Sequence, residues 1–408
     1  MSLEWKTVEL KSIVDVTMGQ SPKSEFYNDN FEGMPFLQGN KTFGDKYPSF
    51  ELYTTSIKKV AKKSSVLMSV RAPVGDLNIA SEDICIGRGV CGLQMKKGDN
   101  EFLYYLLKAN IPHLINKESG TVFGSINKND IETFEVMLPA DIEDQMKILT
   151  ILKNIDDKIE VCRDLNKNLE EQILKIFESW FVKFDLSDDF IDSSLGLIPK
   201  GWSVDYLGSK KSCSIIGSGI DNFDKSKIYI ATADVDNSTI INSETLIKIE
   251  DKPSRANMQP VEKSIWFAKM IDSRKLIMVD DYCYDLLNNY IFSTGFCGLK
   301  CKDDYFYYLW TFLLSDTFDT IKNNFCTGTT MQAINNKDTK LIEFVLPDTE
   351  LLLKFNNIAK PMYQEIYYNN LEIKKLQGLR DTLLPKLMSG EIDVSKINCD
   401  LENSIGGG

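Results

Sequence analysis

One pattern occurs twice in this chain, as SGTVFGSINKNDIETFEVMLP at 119–139 and as TGTTMQAINNKDTKLIEFVLP at 327–347. Eight of the 21 aligned positions are identical, among them Asn127 with Asn335. The offset is 208 residues in a chain of 408. A solenoid repeats short units in series, whereas a repeat of this length predicts a duplicated domain.

Other landmarks recur in the same order in the two halves of the chain. They are Trp5 and Trp202, Cys91-Gly92-Leu93 and Cys297-Gly298-Leu299, and Tyr104-Tyr105-Leu106 and Tyr307-Tyr308-Leu309. A long helical pattern follows each repeated block. We therefore predict a domain at 1–140, a connecting helix at 141–185, a second domain at 186–347, a second helix at 348–392 and a tail at 393–408.

Composition excludes several classes of protein. With 43% hydrophobic and 26% charged residues, the chain is typical of globular proteins. No apolar run is long enough for a membrane span, so we expect a cytoplasmic protein. Its nine cysteines are widely spaced, which favours reduced thiols and no bound metal. The net charge of −12 argues against a uniformly basic nucleic-acid binder, although it leaves room for a local basic face.

The first helical pattern is a heptad seam. Between Leu152 and Trp180, apolar residues recur at alternating intervals of three and four, with Asn166 as a polar member. A buried asparagine in a seam costs stability but fixes the register of the paired helices. We predict that Asn166 and Asn369, which lies on the apolar side of the second pattern, set the register of an antiparallel pair.

The second seam is less regular. Its predicted members are Leu351, Phe355, Ile358, Met362, Ile366, Asn369, Ile373, Leu376 and Leu383. At about 1.5 Å per residue, a helix of roughly 40 residues is about 60 Å long, which exceeds the roughly 34 Å of one DNA turn. Two such antiparallel helices would hold the two domains at a fixed separation. The alternative is a dimerisation coiled coil without that role.

The two domains themselves mix short strands with turns and short helices. Predicted elements include strands at 63–70, 84–86, 227–231 and 264–268 and a helix at 104–110. The predicted class is α+β: two similar domains with mixed, curled sheets, separated by the two long helices. Duplicated domains tend to lie about an approximate two-fold axis, which suits a bipartite site on duplex DNA.

The whole chain resembles the specificity subunit of type I restriction–modification enzymes. The strings that carry the resemblance are WKTVEL at 5–10, MGQSP at 18–22, SVRAPVGD at 69–76, IGRG at 86–89, SWF at 179–181, GLIPKGW at 196–202 and LRDTLLPKLMSGE at 379–391. The second half departs from the first, because FAKM at 267–270 stands near the place of the RAPVGD string. That departure implies different recognition surfaces and an asymmetric DNA site.

The resemblance also implies partners. Each domain would be a target-recognition domain that reads one half of a split site in double-stranded DNA. The helices would set the gap and dock two methyltransferase subunits, which a restriction subunit with motor and nuclease activity then joins. S-adenosylmethionine, ATP and Mg²⁺ would serve those partners in N6-adenine methylation and cleavage, so this chain itself needs no cofactor.

The residues point to no chemistry of their own. A His-based triad would need His113, which lies among apolar residues and is expected to be a partly buried structural histidine. Neither a dinucleotide-binding nor a phosphate-binding glycine loop is present. Besides DNA recognition, two alternatives remain open: a coiled-coil scaffold that binds proteins without DNA specificity, and a hydrolase with an unrecognised site.

The candidate DNA contacts are polar or basic residues in predicted loops. Arg, Asn, Gln and Ser/Thr read base edges, and Lys or Arg contact phosphates. Arg71 and Arg88 are the leading candidates because both flank turns that contain glycine or proline. In the first domain the candidates are Gln20, Ser21, Lys23, Gln38, Asn40, Lys41, Arg71, Arg88, Thr121 and Ser125. In the second they are Lys225, Arg255, Asn257, Lys269, Arg274, Lys275, Thr329 and Gln332.

Overall fold

A computed structural model describes residues 4–116, 125–328 and 332–394 of the chain. Two long helices, α4 and α9, follow the first and the second lobe in the chain, and the other helices lie within the lobes. The helices are α1 Leu10–Ile13, α2 Asn100–Asn116, α3 Lys128–Glu132, α4 Ile142–Phe177, α5 Tyr284–Asn289, α6 Phe306–Leu314, α7 Asp316–Asn324, α8 Asn336–Thr339 and α9 Thr349–Met388. A π-helical turn, Glu178–Val182, continues α4.

The first lobe comprises the described residues from 4 to 139. Its strands are β1 Trp5–Glu9, β2 Val14–Met18, β3 Tyr27–Asn28, β4 Met34–Leu37, β5 Tyr53–Thr54, β6 Val60–Ala61, β7 Val66–Ser69, β8 Leu77–Ile79, β9 Ile84–Ile86, β10 Val90–Met95 and β11 Glu135–Pro139. They form an antiparallel pair, β1-β11, and two sheets with the orders β2-β10-β7-β8 and β3-β5-β4-β9-β6. Only the β4–β9 pairing is parallel, so this is a mixed α+β fold.

The second lobe comprises the described residues from 190 to 347. Its strands are β12 Phe190–Ser193, β13 Gly196–Pro199, β14 Ser203–Tyr206, β15 Cys213–Ile215, β16 Lys227–Ile230, β17 Val235–Asp236, β18 Thr239–Ile240, β19 Leu246–Ile247, β20 Ala256–Met258, β21 Ser264–Ala268, β22 Leu276–Val279, β23 Tyr290–Ser293, β24 Phe296–Cys301 and β25 Glu343–Leu346. The main sheets have the orders β15-β24-β21-β22 and β19-β16-β23-β20, and β14 pairs with β25.

The two lobes have the same topology, which confirms the internal repeat. Strands β2, β10, β7 and β8 occupy the positions of β15, β24, β21 and β22, and the β1–β11 pair answers to β14–β25. In the remaining sheet, the parallel pair β4–β9 answers to the parallel pair β16–β23. The second lobe adds the hairpins β12–β13 and β17–β18.

The repeated sequence has a structural reason. Asn127 caps α3 by accepting hydrogen bonds from the backbone N–H groups of Asn129 and Asp130. Asn335 caps α8 in the same way. Asparagine is among the best residues for this position because its side-chain oxygen satisfies amide groups that the helix leaves unpaired. Two of the identical pairs, Asn127 with Asn335 and Asp130 with Asp338, are therefore residues at the start of the same short helix in each lobe.

The chain divides into two compact units, residues 1–161 with 372–408 and residues 162–371. Each unit combines one lobe with one half of each long helix. The long helices therefore do not form a separate unit, although α4 and α9 lie within the helical ranges that the sequence predicts.

Within each unit, α4 and α9 pack side by side. In the unit of the second lobe, Asn166 of α4 contacts Asn370, and Phe177, further along α4, lies 6.1 Å from the earlier Phe355 of α9. Residue numbers rise along one helix as they fall along the other, so the helices are antiparallel as predicted.

The predicted seam of α4 is confirmed from Leu152 to Cys162 and at Ile173, but at its end Phe177 and Phe181 are buried, whereas the predicted Ile176 and Trp180 are half-buried. In α9, Phe355 and Ile373 are buried as predicted. Four other positions are shifted by one residue: the predicted Leu351, Ile358, Met362 and Leu383 are half-buried, and the buried residues are Leu352, Ala359, Tyr363 and Leu384. The reason is that α9 packs on the second lobe as well as on α4. The hydroxyl of Tyr363 lies 2.8 Å from Thr311 of α6.

Candidate nucleic-acid interface

Six of the predicted DNA contacts in the first lobe line one cleft of about 420 Å³. Four segments contribute to this cleft: the turn after β2, the loop after β4, the turn after β7 and the turn after β9. The predicted residues in its lining are Ser21, Gln38, Asn40, Lys41, Arg71 and Arg88. Residues that lie far apart in sequence thus meet at one surface; Ser21 and Arg88, for example, are in contact although 67 residues separate them.

Glycines allow these segments to approach closely. A Cβ atom added at Gly89 would lie 2.5 Å from the carbonyl oxygen of Gln38, and one added at Gly19 would lie 2.1 Å from that of Gly87. Only glycine fits such backbone contacts. The same turn is held by hydrogen bonds from the Gly89 N–H to the Gln38 carbonyl and from the Val70 N–H to the Gly89 carbonyl, 3.1 and 2.9 Å long. Arg88 therefore sits on a fixed backbone.

The cleft carries positive charge in an acidic chain. Its lining contains three cations, Lys41, Arg71 and Arg88, and one anion, Glu51, which gives a net charge of +2. Lys41 forms an exposed ion pair with Glu51 at 2.8 Å. Arg71 and Arg88 are exposed, and neither guanidinium has an ion-pair or hydrogen-bond partner within the described part of the chain.

The other first-lobe candidates surround this cleft or lie apart from it. Asn40 donates to Asp76 at 2.5 Å, and the Ser21 hydroxyl accepts the backbone N–H of Arg88 at 3.1 Å. Ser125 is exposed and pairs with Arg71 through the backbone. The exposed residues Gln20 and Lys23 follow β2, Lys23 lying 3.7 Å from Glu25. Thr121 lies outside the described residues.

The backbone around Arg71 and Arg88 is repeated in the second lobe. Arg71 pairs with Ser125, and Met270 pairs with Ala333, 208 residues after Ser125. The Val70 N–H donates to Gly89, and the Lys269 N–H donates to Gly295, both at 2.9 Å. These hydrogen bonds place Met270 at the position of Arg71.

The same comparison places Thr294, which precedes Gly295, at the position of Arg88. The Lys269 ammonium donates to the Thr294 carbonyl at 3.2 Å. Arg255 is exposed, and its carbonyl accepts the Thr294 N–H at 2.9 Å. Among the predicted second-lobe contacts, Lys269 and Arg255 are therefore brought together around Thr294.

The remaining second-lobe candidates are scattered. Arg274 forms an ion pair with Asp316 at 2.6 Å and another with Asp319, and it donates to the carbonyl of Leu314. The Arg274 guanidinium therefore links α7 to the loop before β22 and is already engaged in contacts within the protein. Lys225 and Gln332 are exposed, and Asn257 and Lys275 are half-buried. Thr329 lies outside the described residues.

The predicted asparagine contact between the helices is present. Asn369 donates to the Asn166 side-chain oxygen at 2.9 Å, and Asn166 donates to Asn370 at 3.0 Å. All three side chains are half-buried, so both hydrogen bonds are partly shielded from water. The sequence predicts Asn369 as the partner but not Asn370. Adjacent residues of a helix lie about 100° apart around its axis, so the predicted seam includes only one of the two.

A family model described as the type I restriction modification DNA specificity domain matches residues 2–171. A putative type I restriction enzyme MjaX specificity subunit from Methanocaldococcus jannaschii is 43% identical over 177 residues, which is 42% of this chain and 41% of that relative. The type I restriction enzyme MjaIX specificity subunit of the same organism is 27% identical, with 97% of this chain and 95% of the relative aligned. The chain is thus similar to a DNA specificity domain over residues 2–171, and to a type I restriction enzyme specificity subunit over nearly its whole length.

The fold of this chain also has a solved counterpart. The crystal structure of the S subunit of a type I restriction-modification system from M. genitalium aligns with a TM-score of 0.56. It is 17% identical, and the alignment covers 94% of this chain and 96% of that chain. At this level of identity, the likeness concerns the fold alone.

The candidates for chemistry do not form a site within the described part of the chain. In the residues that the structure describes, no group of three His, Cys, Asp or Glu side chains could hold a metal ion. The prediction for His113 was wrong, because its side chain is exposed on α2. The apolar neighbours in sequence lie on other faces of that helix, as the buried Leu114 illustrates.

None of the helices in the described part of the chain is both long enough and apolar enough to span a membrane. Seven of the eight described cysteines are buried and one is half-buried, and all are free thiols. Burial raises the pKa of the Cys91 and Cys297 thiols, which are equivalent in the repeat, to about 12. These side chains serve as small apolar residues in the two cores.

Proposed function

We propose that this chain reads a bipartite, asymmetric DNA site, one half with each lobe. The observation that carries the proposal is the duplicated topology, in which two sheets and a strand pair recur in the same order. Two copies of one reader favour two contact sites on the duplex. The different side chains at equivalent positions, Arg71 against Met270 and Arg88 against Thr294, favour halves of different sequence.

The antiparallel helices fit the task of setting the gap between the halves. Their asparagine contact would hold the register of α4 against α9, as a buried asparagine does in other helix pairs. In this proposal the helices also dock two methyltransferase subunits, and restriction subunits with motor and nuclease activity join them. S-adenosylmethionine, ATP and Mg²⁺ would act in those partners. A cytoplasmic location follows, since a restriction system meets its DNA there.

The test is to express the chain with the methyltransferase subunit of the same system and to map N6-methyladenine across a genome. The expected result is a split motif with a gap of fixed length and two different halves. A continuous motif, or no methylation by a complex that assembles, would contradict the proposal. A complex that binds DNA with no sequence preference would favour the scaffold alternative.

A further inference from the structure

Arg71 and Arg88 share a geometry that the other candidate contacts lack. Both line the first-lobe cleft, both are exposed, and both have guanidiniums without partners among the described residues. Of the other basic or amide groups at the cleft, Lys41 pairs with Glu51 and Asn40 donates to Asp76, whereas Gln38 is exposed. Two guanidiniums without a partner among the described residues therefore line one cleft.

The backbone beneath the two arginines holds them close together. The Val70 N–H donates to the Gly89 carbonyl at 2.9 Å. Arg71 follows Val70 and Arg88 precedes Gly89, so each arginine is next to one end of this hydrogen bond. The Ser21 hydroxyl, at 3.1 Å, accepts the N–H of Arg88. A fixed backbone lowers the entropy that a long side chain loses on binding, because only its own torsions remain to be ordered.

Free guanidiniums fit one edge of one base particularly well. Guanine presents its O6 and N7 acceptors side by side in the major groove, and the planar fork of arginine donates to both. Phosphate contacts would also use positive charge, but the concave lining carries Gln38 and Thr42 as well. Glutamine and threonine side chains can hydrogen-bond to base edges, so this set of residues favours reading of bases over a phosphate contact alone.

The second lobe carries no such pair at the equivalent backbone positions. Met270, which is 43% exposed, replaces Arg71, and Thr294 replaces Arg88. Neither side chain can donate two parallel hydrogen bonds to guanine, whereas apolar and threonine methyl groups suit the methyl group of thymine.

We infer that Arg71 and Arg88 are specificity-determining residues that each read a guanine in the half-site of the first lobe, and that the second lobe reads its half without this contact. The inference rests on the proposed function, because it assigns base contacts to a site whose bipartite form is itself proposed. It predicts two G·C positions within one half of the motif that depend on arginine.

The experiment compares methylation motifs of the full chain and its variants, each in complex with the methyltransferase subunit. Arg71→Ala and Arg88→Ala should each relax discrimination at one G·C position, by about 5- to 150-fold, and both positions should lie in the same half. The second half should keep its sequence. Lys58→Ala, which removes an exposed positive charge of the first lobe outside the cleft lining, is the matched control and should leave every position strict.

Met270→Ala and Thr294→Ala test the second part of the inference. They should relax no G·C position in the half that responds to the arginine variants. The salt dependence of nonspecific DNA binding gives an independent readout, because loss of a phosphate contact lowers its slope by about one, whereas loss of a base contact leaves the slope unchanged.

Three results would overturn the inference: an unchanged motif in both arginine variants, an equal loss at all sites with a reduced salt slope, or relaxation in opposite halves. The wild-type complex separates this failure from failure of the proposed function. A split motif in the wild type with unaffected arginine variants refutes the arginine assignment alone, whereas the absence of a split motif in the wild type refutes the bipartite reader.

Discussion

The two lobes attach to their halves of the long helices by different chemistry. In the first, Tyr105 of α2 donates to Asp156 of α4 at 2.5 Å, and Arg380 of α9 donates to the same carboxylate at 2.9 Å. Burial and the charge of Asp156 raise the pKa of Tyr105, so its phenol stays protonated as the donor. In the second, the equivalent Tyr308 donates to the Val345 carbonyl instead.

Aromatic packing replaces the charged contact in the second lobe. Phe181 lies 4.9 Å from Tyr308, 5.2 Å from Phe355 and 6.0 Å from Trp202, measured between ring centroids. Backbone pairing has therefore been kept between the copies, whereas the contacts between sheet and helices have diverged. The strand order of the lobes can therefore stay the same while the side chains that join each lobe to the long helices change.

The largest effect is expected from Phe181→Ala. Phe181 is 4% exposed and contacts three other aromatic rings, so the substitution leaves a cavity in the second lobe. We expect a loss of about 4 kcal/mol in the free energy of unfolding, measured by urea denaturation of the full chain. Hydrogen exchange should rise in β24 and stay unchanged in β10. Equal acceleration in both strands would contradict separate attachment.

Asp156→Ala should have the next largest effect, and in the opposite lobe. The substitution leaves the Arg380 guanidinium, whose side chain is 15% exposed, and the Tyr105 hydroxyl without their shared acceptor. Arg380 keeps its more exposed partner Asp381 at 2.9 Å. A loss of about 3 kcal/mol is still expected, because the buried Tyr105 hydroxyl and part of the guanidinium lose their acceptor. The control is Glu350→Ala, which breaks the exposed Glu350–Lys354 pair and should cost less than about 0.5 kcal/mol. Similar losses for both variants would show that burial of the pair is unimportant.

Equivalent glycines give a direct comparison of the two sheets. A Cβ atom at Gly298 of β24 would lie 2.4 Å from the ring of the fully buried Trp266. At Gly92 of β10 it would lie 3.0 Å from the Cβ of Ala61. We expect Gly298→Ala to destabilise the chain by about 2 kcal/mol more than Gly92→Ala, because a tryptophan inside a packed core cannot move aside. Thermal and urea unfolding of the two variants measure the difference, and equal losses would mean that the cores are interchangeable here.

The smallest effect is expected at the helix pair. Asn166→Ala removes the acceptor of Asn369 and the donor to Asn370, for an expected loss of about 1 kcal/mol in urea denaturation. Asn168→Ala, on the exposed side of α4, is the control and should be neutral. A neutral Asn166→Ala would remove the argument that this contact specifies register.

Sequence reasoning was most successful where local chemistry decides the structure. The strand at 264–268 and the strand at 84–86 were predicted with the bounds that the structure has, since both are short, apolar and flanked by turn residues. The duplication followed from the repeat because identical capping residues start the same helix. The predicted α9 seam is displaced by one residue at four positions, because periodicity does not reveal that this helix has two neighbours.

The candidate site was predicted in part, for a similar reason. Arg71 and Arg88 were recognisable by their residue type and by the turns beside them. The ion pairs that engage Arg274 could not be recognised from the sequence, because its partners Asp316 and Asp319 lie more than 40 residues away. Nor could the equivalence of Met270 with Arg71 be read from the sequence, since it depends on strand register.

The backbone hydrogen bonds that link Val70 to Gly89 and Lys269 to Gly295 involve main-chain atoms only. Substitution of the neighbouring exposed residues therefore leaves the frame intact, and very different amino acids occupy the two copies of it. Such positions are open to mutation without a folding penalty, so a new target preference can evolve, or be engineered, one residue at a time. In this duplicated fold, residues that stabilise the protein and residues that could select its target are different ones, so the second group can change without loss of stability.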